Sequence, residues 1–343
     1  MRTVTIAVAW RLSQSLADLV RKQMPQITVR DVTAPFRAVV ELERQPGKEQ
    51  ELEEAKRRLK AALDGAEVIV THPEMPRSLP ELAPTVRWVQ SSGAGVDRIL
   101  RKGLLNSHLT FTDTAGLGAT TIAEWCVCVM LMFAHKTPRW YEDRKGRLFD
   151  RAAITMERVE GRTAGILGAG AIGMETARLS KALGMRTIGL RRSAKERQRN
   201  VGSLDELVPP SDLPYLLRES DYVVMALPLT PETTKYIGER ELKMMKPTAY
   251  ILNVGRGPSI DEQALIKALK SGVIAGAGLD VFEVEPLPKD SPLWDMPNVI
   301  MSPHTAGIAF DYDQKLSNLV CENLQRYVRG EPLLNVVDKK LGY

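Results

Sequence analysis

Thr163-Ala164-Gly165-Ile166-Leu167-Gly168-Ala169-Gly170-Ala171-Ile172-Gly173 is the stretch on which the fold turns. Its first five residues read as a short buried strand, and Ala171 to Leu183 read as the helix that follows. Between them the glycines take the spacing G-x-G-x-x-G. In a strand–turn–helix setting each has its own physical reason. Gly168 makes the tight turn, Gly170 lets a pyrophosphate approach the backbone, and Gly173 lets the helix pack close to the strand. The helix N-terminus adds unpaired N–H groups and a positive dipole end. Gly168, Ala169, Gly170, Ala171, Ile172 and Gly173 are therefore the candidate cradle of a dinucleotide pyrophosphate. The G-x-G triplets at Gly93, Gly116, Gly255 and Gly276 do not complete the pattern.

Downstream the alternation of apolar runs and helical stretches continues. Strands are expected at Arg186–Leu190, Asp221–Leu227, Ala249–Val254, Ile274–Val281 and Asn298–Met301. Helices are expected at Leu213–Arg218, Arg240–Met245 and Glu262–Lys270. This series, residues 118–309, reads as βαβ throughout. Upstream, a looser series has strands at Thr3–Val8, Ala66–Val70, Val86–Gln90 and Leu109–Thr112. A helix at Glu49–Leu63 carries Glu53/Arg57 and Glu54/Arg58 at i,i+4. The fold class is thus α/β, with doubly wound parallel sheets. An apolar helix, Ala119 to His135, with Thr120 or Thr121 as its cap, lies between the two series. A last amphipathic helix, Phe310–Val328, falls outside the second series and is expected to return to the first.

The end of the second strand of the glycine unit bears on the cofactor. A free ribose 2′-hydroxyl is usually held by an acid about 20 residues beyond the turn. Here the chain reads Gly189-Leu190-Arg191-Arg192-Ser193. Arg191, Arg192, Lys195, Arg197 and Arg199 stand against one acid, Glu196. Guanidinium forks match phosphate, and a serine hydroxyl adds a donor. Arg191, Arg192 and Ser193 are read as a 2′-phosphate site, which favours NADPH over NADH. The plainer reading is a solvated basic loop.

Three later loops each follow a strand and each offer one polar group of catalytic type: Arg256 between Gly255 and Gly257, Glu285 before Pro286, and His304 after Pro303. In an open α/β sheet, ligands bind beyond the carboxyl ends of the strands. The trio suits reduction of a carbonyl beside a carboxylate. Histidine supplies the proton near neutral pH. A carboxylate on its far nitrogen favours the imidazolium. Arginine holds the substrate carboxylate and polarises the keto oxygen.

Composition excludes other classes. A chain of 343 residues fits two domains at about 150 each. Hydrophobic content of 44% with 26% charged residues argues against disorder. The net charge of +5 is too weak to argue for nucleic acid or a membrane surface. Met1 to Trp10 reads as a first strand, not a signal peptide, and the apolar run Trp125–Ala134 is too short to span a bilayer. Cys126, Cys128 and Cys321 lack metal-ligand spacing, which suggests buried thiols in a reducing cytoplasm and no metal.

At this point the chain resembles the D-isomer-specific 2-hydroxyacid dehydrogenases over nearly its whole length. The resemblance rests on the glycine turn, Gly93-Ala94-Gly95-Val96-Asp97, Thr121-Ile122-Ala123-Glu124, Leu227-Pro228-Leu229-Thr230 and the loops of Arg256, Glu285 and His304. It implies two Rossmann-like domains with the active site in the cleft between them. Residues 1–117 with 310–343 would bind substrate, and 118–309 the dinucleotide. It also implies that Arg256, Glu285 and His304 are catalytic and that Ala94 and Gly95 hold the substrate carboxylate through backbone N–H groups. Asp280 would face the nicotinamide carboxamide, and Thr121, Leu227, Pro228, Thr233 and Val254 would line the cofactor. A homodimer through the coenzyme domain is implied as well. Within the family the arginines look most like the NADPH-using glyoxylate/hydroxypyruvate reductases, with NAD as the other cofactor. Other occupants of the same frame are a dinucleotide-sensing corepressor of the C-terminal binding protein type and phosphite dehydrogenase. The substrate side chain is expected near His72 to Met75 and near a loop 137–150 carrying Trp140 and Phe149.

Overall fold

The computed structural model describes residues 4–9, 13–97, 104–149 and 155–341. Two compact units emerge, Met1–Leu117 with Phe310–Tyr343, and Gly118–Ala309. In the first, strands β1 (Val4–Ala9), β2 (Ile27–Asp31), β3 (Val68–Thr71), β4 (Trp88–Ser91) and β5 (Thr110–Thr112) form a parallel sheet in the order β2-β1-β3-β4-β5. Side chains alternate along β1, so the strand feeds two cores. Val4, Ile6 and Val8 meet Leu16 of helix Ser13–Gln23 and Leu316 of helix Tyr312–Arg329. Ala7 and Ala9 join the other face with Val39 and Leu59 of helices Thr33–Leu42 and Glu49–Ala62.

A buried polar network ties the last helix to this sheet. Trp88 Nε1 donates to Thr112 Oγ1 at 2.7 Å, and that hydroxyl donates to Gln90 Oε1 at 2.8 Å. Asn323 Nδ2 donates to the same Gln90 oxygen at 3.2 Å, while Asn323 Oδ1 accepts the Leu334 N–H at 2.7 Å. Every member has a partner, which is the condition for a buried network to be stabilising.

In the second unit, β6 (Thr163–Leu167), β7 (Arg186–Leu190), β8 (Gln198–Val201), β9 (Leu204–Val208), β10 (Tyr222–Met225), β11 (Tyr250–Asn253), β12 (Gly276–Leu279) and β13 (Val299–Met301) form a sheet. Their order is β13-β12-β11-β10-β6-β7-β9-β8. The order reverses at β6, which pairs with β7 on one side and β10 on the other. The glycine turn therefore leaves the sheet at its switch point, where ligands bind in such folds.

Several expectations are corrected. The second series is not βαβ throughout, because β8 runs antiparallel to β9. β8 begins inside the basic segment. It is a polar edge strand with no apolar alternation to reveal it. Residues 137–150 were expected as a loop, but Thr137–Lys145 is a helix opened by Pro138. Helix Ala119–Ala134 is capped by Gly118 with no side-chain cap, which places Thr120 and Thr121 inside its first turn. Cys128 is exposed, while Cys126 and Cys321 are buried. The Glu54–Arg58 pair forms, but Glu53 pairs with Lys56 at 2.8 Å. Thr3 and Asp150 lie outside the described residues. Among the described residues no helix is long and apolar enough to cross a membrane.

Asp113 is a costly group in the first unit. It lies buried just after β5, and its Oδ1 accepts the Ala115 N–H at 2.9 Å. Burial pushes its carboxyl from 3.8 up to about 6, and the Ala115 hydrogen bond offsets part of that rise. The folded state thus holds this proton more tightly than the unfolded state. The cost is absent below pH 3.8, grows as pH rises, and is complete above about 6. Asp113→Asn keeps the acceptor and removes the charge. Thermal unfolding should show the variant more stable than wild type at pH 8, by up to about 3 kcal/mol. The difference should vanish near pH 4; equal gains at both pH values would refute the assignment.

Candidate active site and dinucleotide cradle

The glycine turn meets its steric requirements differently at each position. Gly168 has φ +101°, and a Cβ there would lie 2.7 Å from Ala226 O. A Cβ on Gly173 would lie 2.2 Å from Gly168 O, so this glycine sets how closely helix Ala171–Ala182 approaches β6. At Gly170 a Cβ would meet nothing within 4 Å. The open space lies where the backbone caps the helix, as a pyrophosphate cradle requires. The turn is also gripped from β7. Leu190 O accepts the Gly168 and Ala169 N–H groups at 3.1 and 3.0 Å. Arg191 donates from Nε and Nη2 to Ala169 O at 2.9 and 2.5 Å.

The basic segment therefore divides. Arg191 is engaged with the turn. Arg197 pairs with Asp212 and lies 3.9 Å over the ring of Tyr215. Arg192 and Ser193 are exposed beyond the end of β7.

Among the other expected cofactor residues, Thr233 turns its hydroxyl into its own loop, donating to Pro228 O at 2.6 Å and accepting from Thr230 N at 2.7 Å. Leu227 packs on the core, and its carbonyl would be 2.6 Å from a Cβ on Gly255. Val254 is buried, with its N–H on Met225 O at 3.0 Å. Thr121 is half-buried in helix Ala119–Ala134.

Arg256, Glu285 and His304 all leave the carboxyl ends of strands β11, β12 and β13. His304 Nδ1 lies 2.9 Å from Glu285 Oε2, and Glu285 Oε1 accepts the Phe282 N–H at 3.1 Å. Burial would raise the Glu285 carboxyl. The His304 and Phe282 hydrogen bonds, with the charges of His304 and Arg256, outweigh it and hold the group below the usual range. Since Nδ1 faces the carboxylate, Nε2 is the ring nitrogen available to a reactant. The imidazole is 45% exposed, so the site is reachable from solvent.

Asp280 fixes the His304 loop. Its Oδ1 accepts from Ser302 Oγ at 2.6 Å, Thr305 N at 2.8 Å and Ala306 N at 3.1 Å, and its carbonyl accepts the His304 N–H at 2.8 Å. His304 sits at φ +56°, a conformation such anchoring can hold. Asn253, buried at the end of β11, does the same for arginine. It accepts from Gly255 N at 3.1 Å and donates to Arg256 O at 3.0 Å. A Cβ on Gly257 would lie 1.8 Å from Phe282 O, so the arginine and glutamate loops touch backbone to backbone. Asn253 and Ser302 were not singled out from sequence. The only signal was a polar residue ending each apolar strand.

Ala94 and Gly95 belong to the other unit, in the turn after β4, where Ser91 Oγ donates to Gly93 O at 3.0 Å. His72 follows β3, its Nδ1 accepting the Glu74 N–H at 3.3 Å. Trp140 lies on helix Thr137–Lys145, its ring edge-on to His135, and Phe149 is exposed.

The model of the D-isomer specific 2-hydroxyacid dehydrogenase NAD binding domain matches residues 127–306. A glyoxylate reductase from Korarchaeum cryptofilum is 38% identical over 268 residues, which is 76% of this chain and 79% of that protein. Among solved structures, the D-isomer specific 2-hydroxyacid dehydrogenase of Xanthobacter autotrophicus, in complex with NADPH and MES, is 27% identical with a TM-score of 0.80, covering both chains fully. The NADPH-dependent glyoxylate/hydroxypyruvate reductase of Sinorhizobium meliloti, in complex with NADP and sulfate, is 26% identical with a TM-score of 0.79, covering 99% of this chain and 100% of its own.

Two glycine substitutions separate cradle from scaffold. Gly170→Ala should leave the Tm within about 2 °C of wild type, yet weaken dinucleotide binding at least tenfold in a fluorescence titration, about 1.4 kcal/mol. Gly257→Ala should cost about 3 kcal/mol or more of stability because backbone must move. A Gly257→Ala protein as stable as wild type would contradict the close approach.

Proposed function

Because the chain belongs to the D-isomer specific 2-hydroxyacid dehydrogenase family, we propose that it reduces a small 2-oxo acid of the glyoxylate/hydroxypyruvate type to the D-2-hydroxy acid, with NADPH preferred. In this reading residues 118–309 bind the dinucleotide, and residues 1–117 with 310–343 bind substrate. The observation that carries it is the His304–Glu285 hydrogen bond on loops that leave the same sheet as the glycine turn.

A nicotinamide held there would supply hydride chemistry at the carbonyl carbon. The residues of this chain do the rest. Glu285 holds the His304 ring at Nδ1, and Nε2 delivers the proton to the carbonyl oxygen as negative charge develops there. Arg256 binds the substrate carboxylate through its fork and polarises the keto group. Backbone N–H groups at Ala94 and Gly95 are the proposed further donors to that carboxylate. Asp280 has its Oδ1 committed to the 302–306 segment, which leaves Oδ2 as its candidate acceptor for the carboxamide. The missing acid after β7, together with exposed Arg192 and Ser193, supports NADPH. So do the NADPH and NADP bound by the two similar structures.

A homodimer through residues 118–309 belongs to the same proposal. Helix Ala119–Ala134 and the next helix frame an apolar groove with Val127, Leu131, Met132 and Trp140 on its walls, and Leu148 and Phe149 are exposed nearby in sequence.

Steady-state kinetics over glyoxylate, hydroxypyruvate, pyruvate and bulkier 2-oxo acids, each with NADPH and NADH, tests the whole reading. A clear NADH preference removes the 2′-phosphate site, and no turnover at all favours a dinucleotide-sensing binding protein. His304→Ala should lower kcat by about 10²–10⁴ while cofactor still binds, and Arg256→Ala should mainly raise KM. Glu285→Gln should lower kcat while the dinucleotide still binds, because the charged acceptor that orients the ring at Nδ1 is gone. An unchanged kcat would remove Glu285 from the proposed role.

A further inference from the structure

The two adjacent arginines at the end of β7 are chemically identical in sequence, and the structure treats them differently. Arg192 is exposed. Arg191 is half-buried, and its Nε and Nη2 close on one backbone oxygen, Ala169 O, at 2.9 and 2.5 Å. Ala169 stands between Gly168 and Gly170, inside the cradle. Its peptide is held from the other side as well, because its N–H and that of Gly168 both go to Leu190 O. Ala169 Cβ packs close to Gly189, where an added Cβ would be 3.2 Å from it. Residues 189–191 thus clamp the first half of the turn through packing, two accepted hydrogen bonds and two donated ones.

The electrostatics of this contact matter to any dinucleotide. A carbonyl oxygen that swung toward the cradle would repel a pyrophosphate. A guanidinium fork on that oxygen holds it aside and leaves positive charge beside the phosphates. None of this involves a ribose 2′-substituent. We propose that Arg191 is a positioning residue for the glycine turn, required equally for NADH and NADPH, and that discrimination between them is left to Arg192 and Ser193. The inference rests on the dinucleotide reading of the cradle and refines the proposed 2′-phosphate site, from which it removes Arg191.

The test is direct binding to the purified full chain, without substrate. Dissociation constants for NADH and NADPH are measured by nicotinamide fluorescence, and those for ADP-ribose and its 2′-phosphate by calorimetry. The proteins compared are wild type, Arg191→Ala, Arg191→Lys and Arg192→Ala. Arg191→Ala should weaken both members of each pair by a similar factor, about tenfold, the loss expected for hydrogen bonds from a charged donor. Arg191→Lys should recover part of that loss with one donor. Arg192→Ala should weaken only the 2′-phosphorylated ligands. If Arg191→Ala weakens only those ligands, Arg191 is a phosphate contact and the inference falls. It falls equally if Arg191→Ala weakens neither. Should the alanine variant fail to fold, Arg191→Gln retains one donor and decides by the same ratio. A wild type without NADPH preference would overturn the proposed cofactor choice, while the NADH and ADP-ribose arms would still judge Arg191.

Discussion

One carboxylate oxygen orders the end of the second unit that carries His304. Asp280 Oδ1 collects a serine hydroxyl and two backbone N–H groups from residues 302–306, and its own carbonyl takes the N–H of His304. Four hydrogen bonds accepted by one residue hold a short loop against the end of β12. That loop carries an imidazole whose ring then needs only one further contact, Glu285, to have its orientation fixed. Charge-assisted hydrogen bonds are stronger and shorter than neutral ones, so a single aspartate can replace a longer, better packed loop. The imidazole stays partly exposed without being loosely held.

The neighbouring loops are ordered by exclusion. Gly168, Gly255 and Gly257 each sit where a Cβ would strike a backbone atom of the next loop. Their strands are parallel and adjacent, so loops from β6, β10, β11 and β12 leave the sheet side by side and touch. Glycine is the residue that lets the backbones approach. Positioning therefore comes from main chain against main chain, which is stiffer than side-chain packing and leaves Arg256 between two fixed points.

Much of this was legible before any coordinates. Central parallel strands are apolar on both faces, so β6, β7, β10 and β11 stand out as short runs. Two of the edge strands, β2 and β8, do not. β2 is Ile27-Thr28-Val29-Arg30-Asp31, and β8 is Gln198-Arg199-Asn200-Val201, and neither has a face to bury fully. The polar residues at the site were readable where glycine or proline isolates them, as with Arg256, Glu285 and His304. The groups that hold them were harder to see. Asp280 acts through partners 22 to 26 residues away, and Asn253 through bonds within its own turn. Nothing in the sequence distinguishes Arg191 from Arg192, because the difference lies in which carbonyl a side chain can reach.

The buried network of Trp88, Thr112, Gln90 and Asn323 has a consequence for biosynthesis. One face of the first sheet is covered in part by helix Tyr312–Arg329, which the ribosome makes after all of residues 118–309. The second unit is continuous in sequence and can complete its core while synthesis proceeds. The first unit cannot. Val4, Ile6 and Val8 have only helix Ser13–Gln23 as cover, and Gln90 lacks Asn323, until residues 312–329 emerge. Made first, this unit is finished last. During that interval its apolar sheet face is what a chaperone would meet.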